Sequence, residues 1–230
     1  MARSFLDHIT VTAFSLEAGA AFVSETLGVS PQVGGEHPRM ATHNLLLRLG
    51  DTAFLEIIAP NPAVPAPSRP RWFALDGLGP RSPPRLSAWV VRATDIRAAV
   101  AATAEPLGNV EPMSRGALNW LITIPSDGSV PLGGVAPALI EWRADTHPAA
   151  RLEDRGLSLA KLVIRSSEPD RVSQLLRSLE LDAPVSVVPA LAGESPCLVA
   201  HINTPSGLRL LSVPQPGSQP ALPHKAGAGR

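Results

Sequence analysis

The sequence is poor in the features that mark several common classes of protein. It has one cysteine, Cys197, in 230 residues, which excludes an intramolecular disulfide and a zinc site built from cysteines. Lysine and arginine together number 20, as do aspartate and glutamate, and no basic patch is visible, so we expect no nucleic-acid partner. No apolar run approaches the length of a membrane span.

The amino terminus lacks the apolar core of a secretion signal, so we expect a cytoplasmic protein without membrane contact. Proline, in contrast, is abundant, with 25 residues. Eight of them fall between residues 60 and 85, where they interrupt the pattern of strands and helices. We therefore predict a long connection there, with a regular unit on either side of it.

The two flanking stretches follow the same order of predicted elements. Residues 5–59 predict a strand, a helix that begins after Ser15 and ends at Gly28, and then three strands. Residues 86–143 repeat this order, with Asp95 as the residue that caps the helix. Each stretch is therefore predicted to form one βαβββ module.

The predicted fold is α+β, with tandem βαβββ modules forming curved mixed sheets around a cavity. Residues 1–145 hold the paired modules, residues 146–213 form a third, weaker module, and residues 214–230 read as a flexible tail. Modules of this kind normally pair. The third module is therefore expected either to cap the first two or to associate with a second subunit, which would give a homodimer.

Each of the first two modules ends in an apolar strand with a single glutamate, Glu56 in one and Glu141 in the other. Burying a carboxylate without a partner is costly, so two glutamates at matching places predict one shared site. In the first strand, alternation places His8 on the polar face, which should line the cavity. A two-residue turn at Gly50-Asp51 would place His43 on the same face as Glu56.

The second module aligns Trp89 with His8, and Glu141 with Glu56, so that one concave surface would collect His8, Glu56 and Glu141. Two carboxylates and an imidazole suit a divalent metal such as Zn²⁺, Fe²⁺, Mn²⁺ or Ni²⁺. The alternative is that the glutamates form structural ion pairs with nearby arginines. The candidate substrate contacts are His37, His43, Asn44, Trp89, Trp120 and Arg143.

Tandem βαβββ units with a histidine on the first strand and a glutamate on the last resemble the vicinal oxygen chelate superfamily. Within it, the closer resemblance is to the glyoxalase-like domain group, on the segments Leu6-Asp-His8, Gly35-Glu-His-Pro38, Thr42-His-Asn44, Leu47-Arg-Leu-Gly50 and Leu55-Glu56. It covers about residues 5–145. The resemblance implies that His8, Glu56 and Glu141 are metal ligands. Trp89 stands where the superfamily has a further ligand, so the site has three ligands at best unless His43 contributes.

Two functions remain open on these observations. The first is a metal-dependent enzyme with isomerase, lyase or dioxygenase chemistry, in which Glu56 or Glu141 acts as the catalytic proton carrier. The second is a metal-free protein that binds a small molecule, with Trp89 and Trp120 as an apolar floor and Arg143 meeting an acidic ligand. The bulk of Trp89 argues against a glutathione adduct, and so against a glyoxalase I role.

Overall fold

The computed structural model describes residues 3–143, 146–191 and 193–213. The predicted tail at residues 214–230 lies outside the described residues. The first unit consists of β1 (Ser4–Thr12), α1 (Leu16–Leu27), β2 (Gln32–His37), β3 (Thr42–Arg48) and β4 (Phe54–Pro60). The second consists of β5 (Arg85–Ala93), α2 (Ile96–Ala102), β6 (Asn109–Arg115), β7 (Leu118–Ile124) and β8 (Ala138–Trp142).

The helices begin and end where their capping residues predict. The Ser15 side chain accepts a hydrogen bond from the Ala18 amide, and α1 ends at Gly28, whose φ of 71° lies in the left-handed region that glycine adopts without strain. Asp95 caps α2 by accepting from the amides of Arg97 and Ala98. The two N-caps fix the same starting point in each unit.

The two units join into one curved sheet with the strand order β2-β3-β4-β1-β5-β8-β7-β6. In each unit the first strand pairs parallel with the last, and β1 pairs antiparallel with β5 at the centre. The sheet curls far enough for its outer strands, β2 and β6, to contact each other. The predicted α+β fold with βαβββ units around a cavity is confirmed.

The remaining elements are β9 (Ser158–Ser166), α3 (Pro169–Ser178), β10 (Leu181–Asp182), β11 (Val185–Pro189), β12 (Cys197–Thr204) and β13 (Gly207–Leu211). The short β10 pairs with β1, and the others form a second sheet in the order β11-β9-β12-β13. Here the first strand, β9, lies between its neighbours β11 and β12, so the strand order differs from that of the first two units.

The main core lies on the convex side of the large sheet. Ile9, Val11 and Trp89 pack there with the helices and with side chains of the second sheet such as Ile164 and Ile202. A separate buried cluster covers the concave side, where the connection between the units contributes Trp72 and Phe73 from a 3₁₀ helix over Trp72–Gly77. Among the described residues, no helix is long and apolar enough to cross a membrane.

The hairpin between β3 and β4 corrects one prediction. The Leu49 amide donates to the Ala53 carbonyl, so the loop has three residues, Gly50 to Thr52, where a two-residue turn was predicted. The extra residue shifts the register by one position, and Glu56 pairs with Leu46. A shift by one residue moves a side chain to the other face of a strand. His43 therefore lies on the face opposite Glu56, and Asn44 shares the face of Glu56.

Candidate functional site

The concave side of the large sheet forms a cleft with about 470 Å³ of empty space, its open mouth included. Its polar lining comes from His8, His37, Asn44, Glu56 and Arg115. Its apolar lining comes from Leu46, Phe54, Trp72, Phe73, Trp120, Ile122, Ile140, Trp142 and Pro148. The first unit thus supplies most of the polar lining, and the second unit supplies Arg115 and four of the apolar side chains.

A buried aspartate, Asp7, organises the floor of the cleft. Its Oδ1 accepts a hydrogen bond from Nδ1 of His8 at 2.6 Å, and its Oδ2 lies 2.9 Å from both the Trp142 Nε1 and the His147 Nε2. Burial alone would raise the pKa of Asp7, but the hydrogen bonds from His147 and His8 hold it well below its usual range. Asp7 is therefore an ionised carboxylate that accepts three hydrogen bonds.

This network fixes the tautomer of both histidines. An ionised carboxylate only accepts hydrogen bonds, so Nδ1 of His8 carries the proton and its Nε2 faces the cleft. In His147 the proton lies on Nε2, because its Nδ1 accepts from the Ala149 amide. A bulge in β1 between Leu6 and His8 helps to set this geometry, since Leu6 packs in the convex core while His8 lines the cleft.

Glu56 is the second ionisable group on the floor of the cleft, and it is almost fully buried. Its Oε2 lies 3.6 Å from Nε2 of His8, and its Oε1 accepts from the Asn44 amide nitrogen at 2.7 Å. The Asn44 Oδ1 in turn accepts from the Gly35 amide at 2.8 Å. Asn44 thus orients the carboxylate, while the oxygen nearest His8 stays free of other partners among the described residues.

His37 lines the cleft as a neutral side chain. Its Nδ1 lies 3.1 Å from the Thr42 hydroxyl, and its ring packs edge-on against Trp72. Burial and, secondarily, the charge of Arg115 lower the pKa of His37 to about 3. His37 therefore contributes a polar but uncharged surface near neutral pH.

The second unit has no counterpart of the His8 and Glu56 pair. A shift of 80 residues carries the N-cap Ser15 onto Asp95 and carries Ile9 onto Trp89, its own partner across β1 and β5. The same shift carries His8 onto Ala88. Thr10 pairs with Glu56 as Val90 pairs with Ala138, so Ala138 is the counterpart of Glu56. Both alanines line a second, more apolar cavity beside the cleft.

The predicted alignment of Trp89 with His8 is therefore wrong by one residue, which reverses the face. Trp89 is fully buried in the convex core, where its Nε1 donates to the Val135 carbonyl at 3.1 Å. It does not line the cleft and cannot act as the predicted substrate contact.

Glu141 and Arg143 also lie outside the cleft. Glu141 pairs with Leu121 and faces the convex side, where its Oε2 accepts from the Ile96 amide at the start of α2. Its Oε1 pairs with Arg143 at 2.9 Å, and the Arg143 side chain is 58% exposed. The prediction that Glu141 joins His8 and Glu56 is wrong, because Glu141 caps a helix and forms a structural ion pair, which is the alternative that the sequence left open.

The remaining predicted residues divide in the same way. His37, Asn44 and Trp120 line the cleft. His43 does not line the cleft. In the shifted register it lies on the opposite face of β3, on the side of the sheet that α1 contacts. His8 and Glu56 lie together as predicted, 3.6 Å apart.

The donor set does not fit the predicted divalent metal. Within the described ranges, no three His, Cys, Asp or Glu side chains converge in an arrangement that could hold a metal ion. His8 and Glu56 supply two donors, the counterparts Ala88 and Ala138 supply none, and both Asn44 amide atoms are already engaged. A protein site for these ions normally provides three or four ligands.

The sequence did not predict that Asp7, Arg115, Trp142 and His147 belong to the site. Asp7 carried a usable signal, because an aspartate in the middle of an apolar strand needs buried partners. Trp142 and His147 carried no such signal. They reach Asp7 over 135 and 140 residues of sequence, and only the curled sheet brings them there.

The chain was compared with known families, curated proteins and solved structures. The model of the glyoxalase-like domain matches residues 6–180. No curated protein matches the chain. A solved structure of a hypothetical protein from Staphylococcus aureus is 12% identical, with a TM-score of 0.54 over 81% of this chain and 87% of that one.

Two further solved structures from Streptomyces coelicolor show weaker likeness. A methylmalonyl-CoA epimerase variant with 2-nitronate-propionyl-CoA is 18% identical over 60% of this chain and 97% of that one, with a TM-score of 0.41. A 4-hydroxymandelate synthase variant is 15% identical over 90% of this chain and 61% of that one, with a TM-score of 0.47. Because the family model covers residues 6–180, the chain belongs to the glyoxalase-like domain family.

Proposed function

We propose that the protein is an enzyme that moves a proton on a small carbonyl compound without a metal, using His8 and Glu56. The observation that carries the proposal is the buried Asp7–His8 pair, whose free Nε2 faces the cleft 3.6 Å from the Glu56 carboxylate. Two acid–base groups that share one cavity face can act on the same substrate carbon or on neighbouring carbons. The reaction class is isomerisation or a related lyase step.

Asp7 is the positioning residue of this pair. It holds the ring of His8 by a 2.6 Å hydrogen bond and is itself held by Trp142 and His147. The imidazole therefore has one orientation, with its lone pair toward the cleft. A fixed base costs no reorganisation when the substrate reacts.

The proton transfer balances without an external reagent. Nε2 of His8 accepts a proton from a carbon next to the carbonyl, and the electron pair of the C–H bond becomes the C=C bond of an enolate. The protonated His8, which lies between the carboxylates of Asp7 and Glu56, returns a proton to the same carbon, and the electron pair of the C=C bond forms the new C–H bond. The starting state is then restored.

The proposal is tested by hydrogen exchange at carbon. The protein is incubated in D₂O with 3-benzoylpropionate and, separately, with its amide, and loss of the methylene signal next to the ketone is followed by proton NMR. Wild type should accelerate the exchange, and His8→Gln should lower the rate by about 10²-fold or more. Asp7→Asn should also lower it, because the tautomer of His8 is no longer fixed.

The matched control is His201→Gln, a half-buried histidine on β12 in the second sheet, which should leave the exchange rate unchanged. Exchange at the wild-type rate in His8→Gln would contradict the assignment of His8.

The alternative is a binding protein, and one observation favours it: the aromatic lining of the cleft. Trp72, Trp120, Trp142 and Phe54 give a wall suited to holding a flat molecule. Tight binding of the test compounds with no exchange above the buffer rate would support this function and rule out the enzyme.

A further inference from the structure

Arg115 is a cation that lines the cleft and has no carboxylate partner among the described residues. Arg115 ends β6, and its side chain is half-buried as it reaches across to β2. Its Nη1 lies 3.5 Å from Nε2 of His37 and 3.4 Å from Oδ1 of Asn44, both of which are neutral groups. The carboxylates of Asp7 and Glu141 lie within ion-pair distance of other arginines, Arg92 and Arg143, and no ion pair within the described ranges includes Arg115.

The other arginines of this region contrast with Arg115. Arg39 and Arg69 share the carboxylate of Glu111, and Arg71 pairs with Asp76. Two further carboxylates are engaged as well, Glu56 in the cleft by Asn44 and Asp7 behind it by three donors. Burial lowers the pKa of Arg115, and the charge of Glu56 only partly opposes this. A half-buried guanidinium with unmet hydrogen-bond donors is stabilised by an incoming anion.

The chain makes room for Arg115 at Gly35. A Cβ atom at Gly35 would lie 2.9 Å from Cδ of Arg115 and 3.1 Å from its Nη1. No φ between +20° and +160° occurs at Gly35, so the backbone does not require glycine there. The missing side chain serves the approach of β6 to β2, and it lets the guanidinium lie over the cleft mouth.

We infer that Arg115 binds the carboxylate of the substrate, and that the substrate is a flat aromatic or unsaturated carboxylic acid whose body lies against Trp120 and Trp142. This inference rests on the proposed function, since it names the substrate class of the same cleft. A guanidinium matches a carboxylate with two parallel hydrogen bonds. The anion would lie at the mouth, and the reacting carbon would lie deeper, near His8 and Glu56.

A carboxylate fits this site better than a phosphate does. Among the described residues that line the cleft, Arg115 supplies the one fixed positive charge, because His37 is neutral near pH 7. A phosphate monoester carries between one and a half and two negative charges at that pH, roughly, and would leave part of them unpaired beside Glu56.

The test is a binding series with three probes that share a phenyl ring: benzoate, benzamide and phenyl phosphate. Binding is measured by isothermal calorimetry and by quenching of tryptophan fluorescence. Wild type should bind benzoate at least tenfold more tightly than benzamide or phenyl phosphate. Arg115→Gln should remove that preference, and Arg115→Lys should keep part of it because the charge remains while the fork is lost.

The matched control is Arg143→Gln, which removes a half-exposed arginine on the convex side and should leave benzoate binding unchanged. A second variant, Gly35→Ala, should weaken benzoate binding severalfold by displacing Arg115, and it should leave benzamide binding unchanged. Thermal unfolding of each variant establishes that it is folded.

The outcomes separate this inference from the proposed function. Equal affinity of wild type for benzoate and benzamide, no binding of benzoate at millimolar concentration, or unchanged benzoate affinity in Arg115→Gln would each overturn the carboxylate site. Preference for phenyl phosphate would replace it by a phosphate site. Benzoate binding that depends on Arg115, together with absent exchange at carbon, would keep the anion site and overturn the proton transfer.

Discussion

The two halves of the cleft have the same strand plan and opposite chemistry. The first unit places His8 and Glu56 on the concave face, and the second places Ala88 and Ala138 at the matching positions. The second unit instead contributes Trp120, Ile122, Ile140 and Trp142. One half therefore carries the pair of acid–base groups, and the other carries Arg115 and the tryptophan side of the apolar wall.

The two glutamates of the last strands show how this difference arises. Glu56 faces the cleft, whereas Glu141 faces the convex side and accepts from the start of α2. The residue type is the same, but an offset of three positions from Ala138 reverses the face in a strand of period two. The same residue type in the last strand of both units therefore has a different role in each.

The largest effect is expected from a substitution at Asp7, which removes the hydrogen bonds between the first unit and Trp142 and His147. Asp7→Asn places an amide group among three donors, from His8, Trp142 and His147. We expect a loss of about 3–5 kcal/mol in the free energy of unfolding, measured by urea denaturation. Asp182→Asn, which breaks an exposed pair with Arg3, should cost less than about 1 kcal/mol. Equal costs would show that the network does not stabilise the fold.

The second prediction tests which residue matches His8. Trp89→His should lose about 3–5 kcal/mol of stability, because Trp89 fills the convex core, and should not create a metal site. Ala88→His places a third donor on the concave face and should raise the affinity for Zn²⁺ or Ni²⁺ on the order of tenfold, measured by calorimetry. The reverse result would overturn the correspondence of the two units.

The third prediction concerns His37 in the first unit and the dependence of the free energy of unfolding on pH. The pKa of His37 is about 3 in the folded protein and about 6.5 when unfolded, so the unfolded state binds more protons between these values. Stability should therefore fall as pH decreases from about 6.5, with a slope approaching 1.4 kcal/mol per pH unit, roughly. The depressed pKa of Asp7 adds a further loss at lower pH. His37→Gln should flatten the slope above pH 4.5, and an unchanged slope would show that His37 is not held neutral.

The smallest effect is expected at Glu141. Glu141→Gln weakens the interaction with the amino terminus of α2 and should cost about 0.5–1 kcal/mol, with no change in benzoate binding or in exchange at carbon. Glu56→Gln should instead lower the exchange rate by an order of magnitude or more, measured by the same NMR assay. Equal effects of the two substitutions on exchange would remove the distinction between the halves.

Local signals in the sequence predict the elements of the fold well. Capping by Ser15 and Asp95, the end of α1 at Gly28 and the apolar strands are short-range features, and the structure has them where the pattern places them. The sequence also predicted that His8 and Glu56 lie close together. A polar residue in an apolar strand stands out because burying it without a partner is costly.

Register and long-range contact decided the rest. A single added loop residue after Leu49 put Asn44 on the face of Glu56 and His43 on the opposite face, and a one-residue error in the alignment exchanged Ala88 for Trp89. The sequence by itself determined the βαβββ units and the pair His8 and Glu56, since helix caps and strand alternation act over a few residues. Only the tertiary structure brought Asp7 to Trp142 and His147, and Arg115 to Gly35, because these contacts depend on how a whole sheet curls.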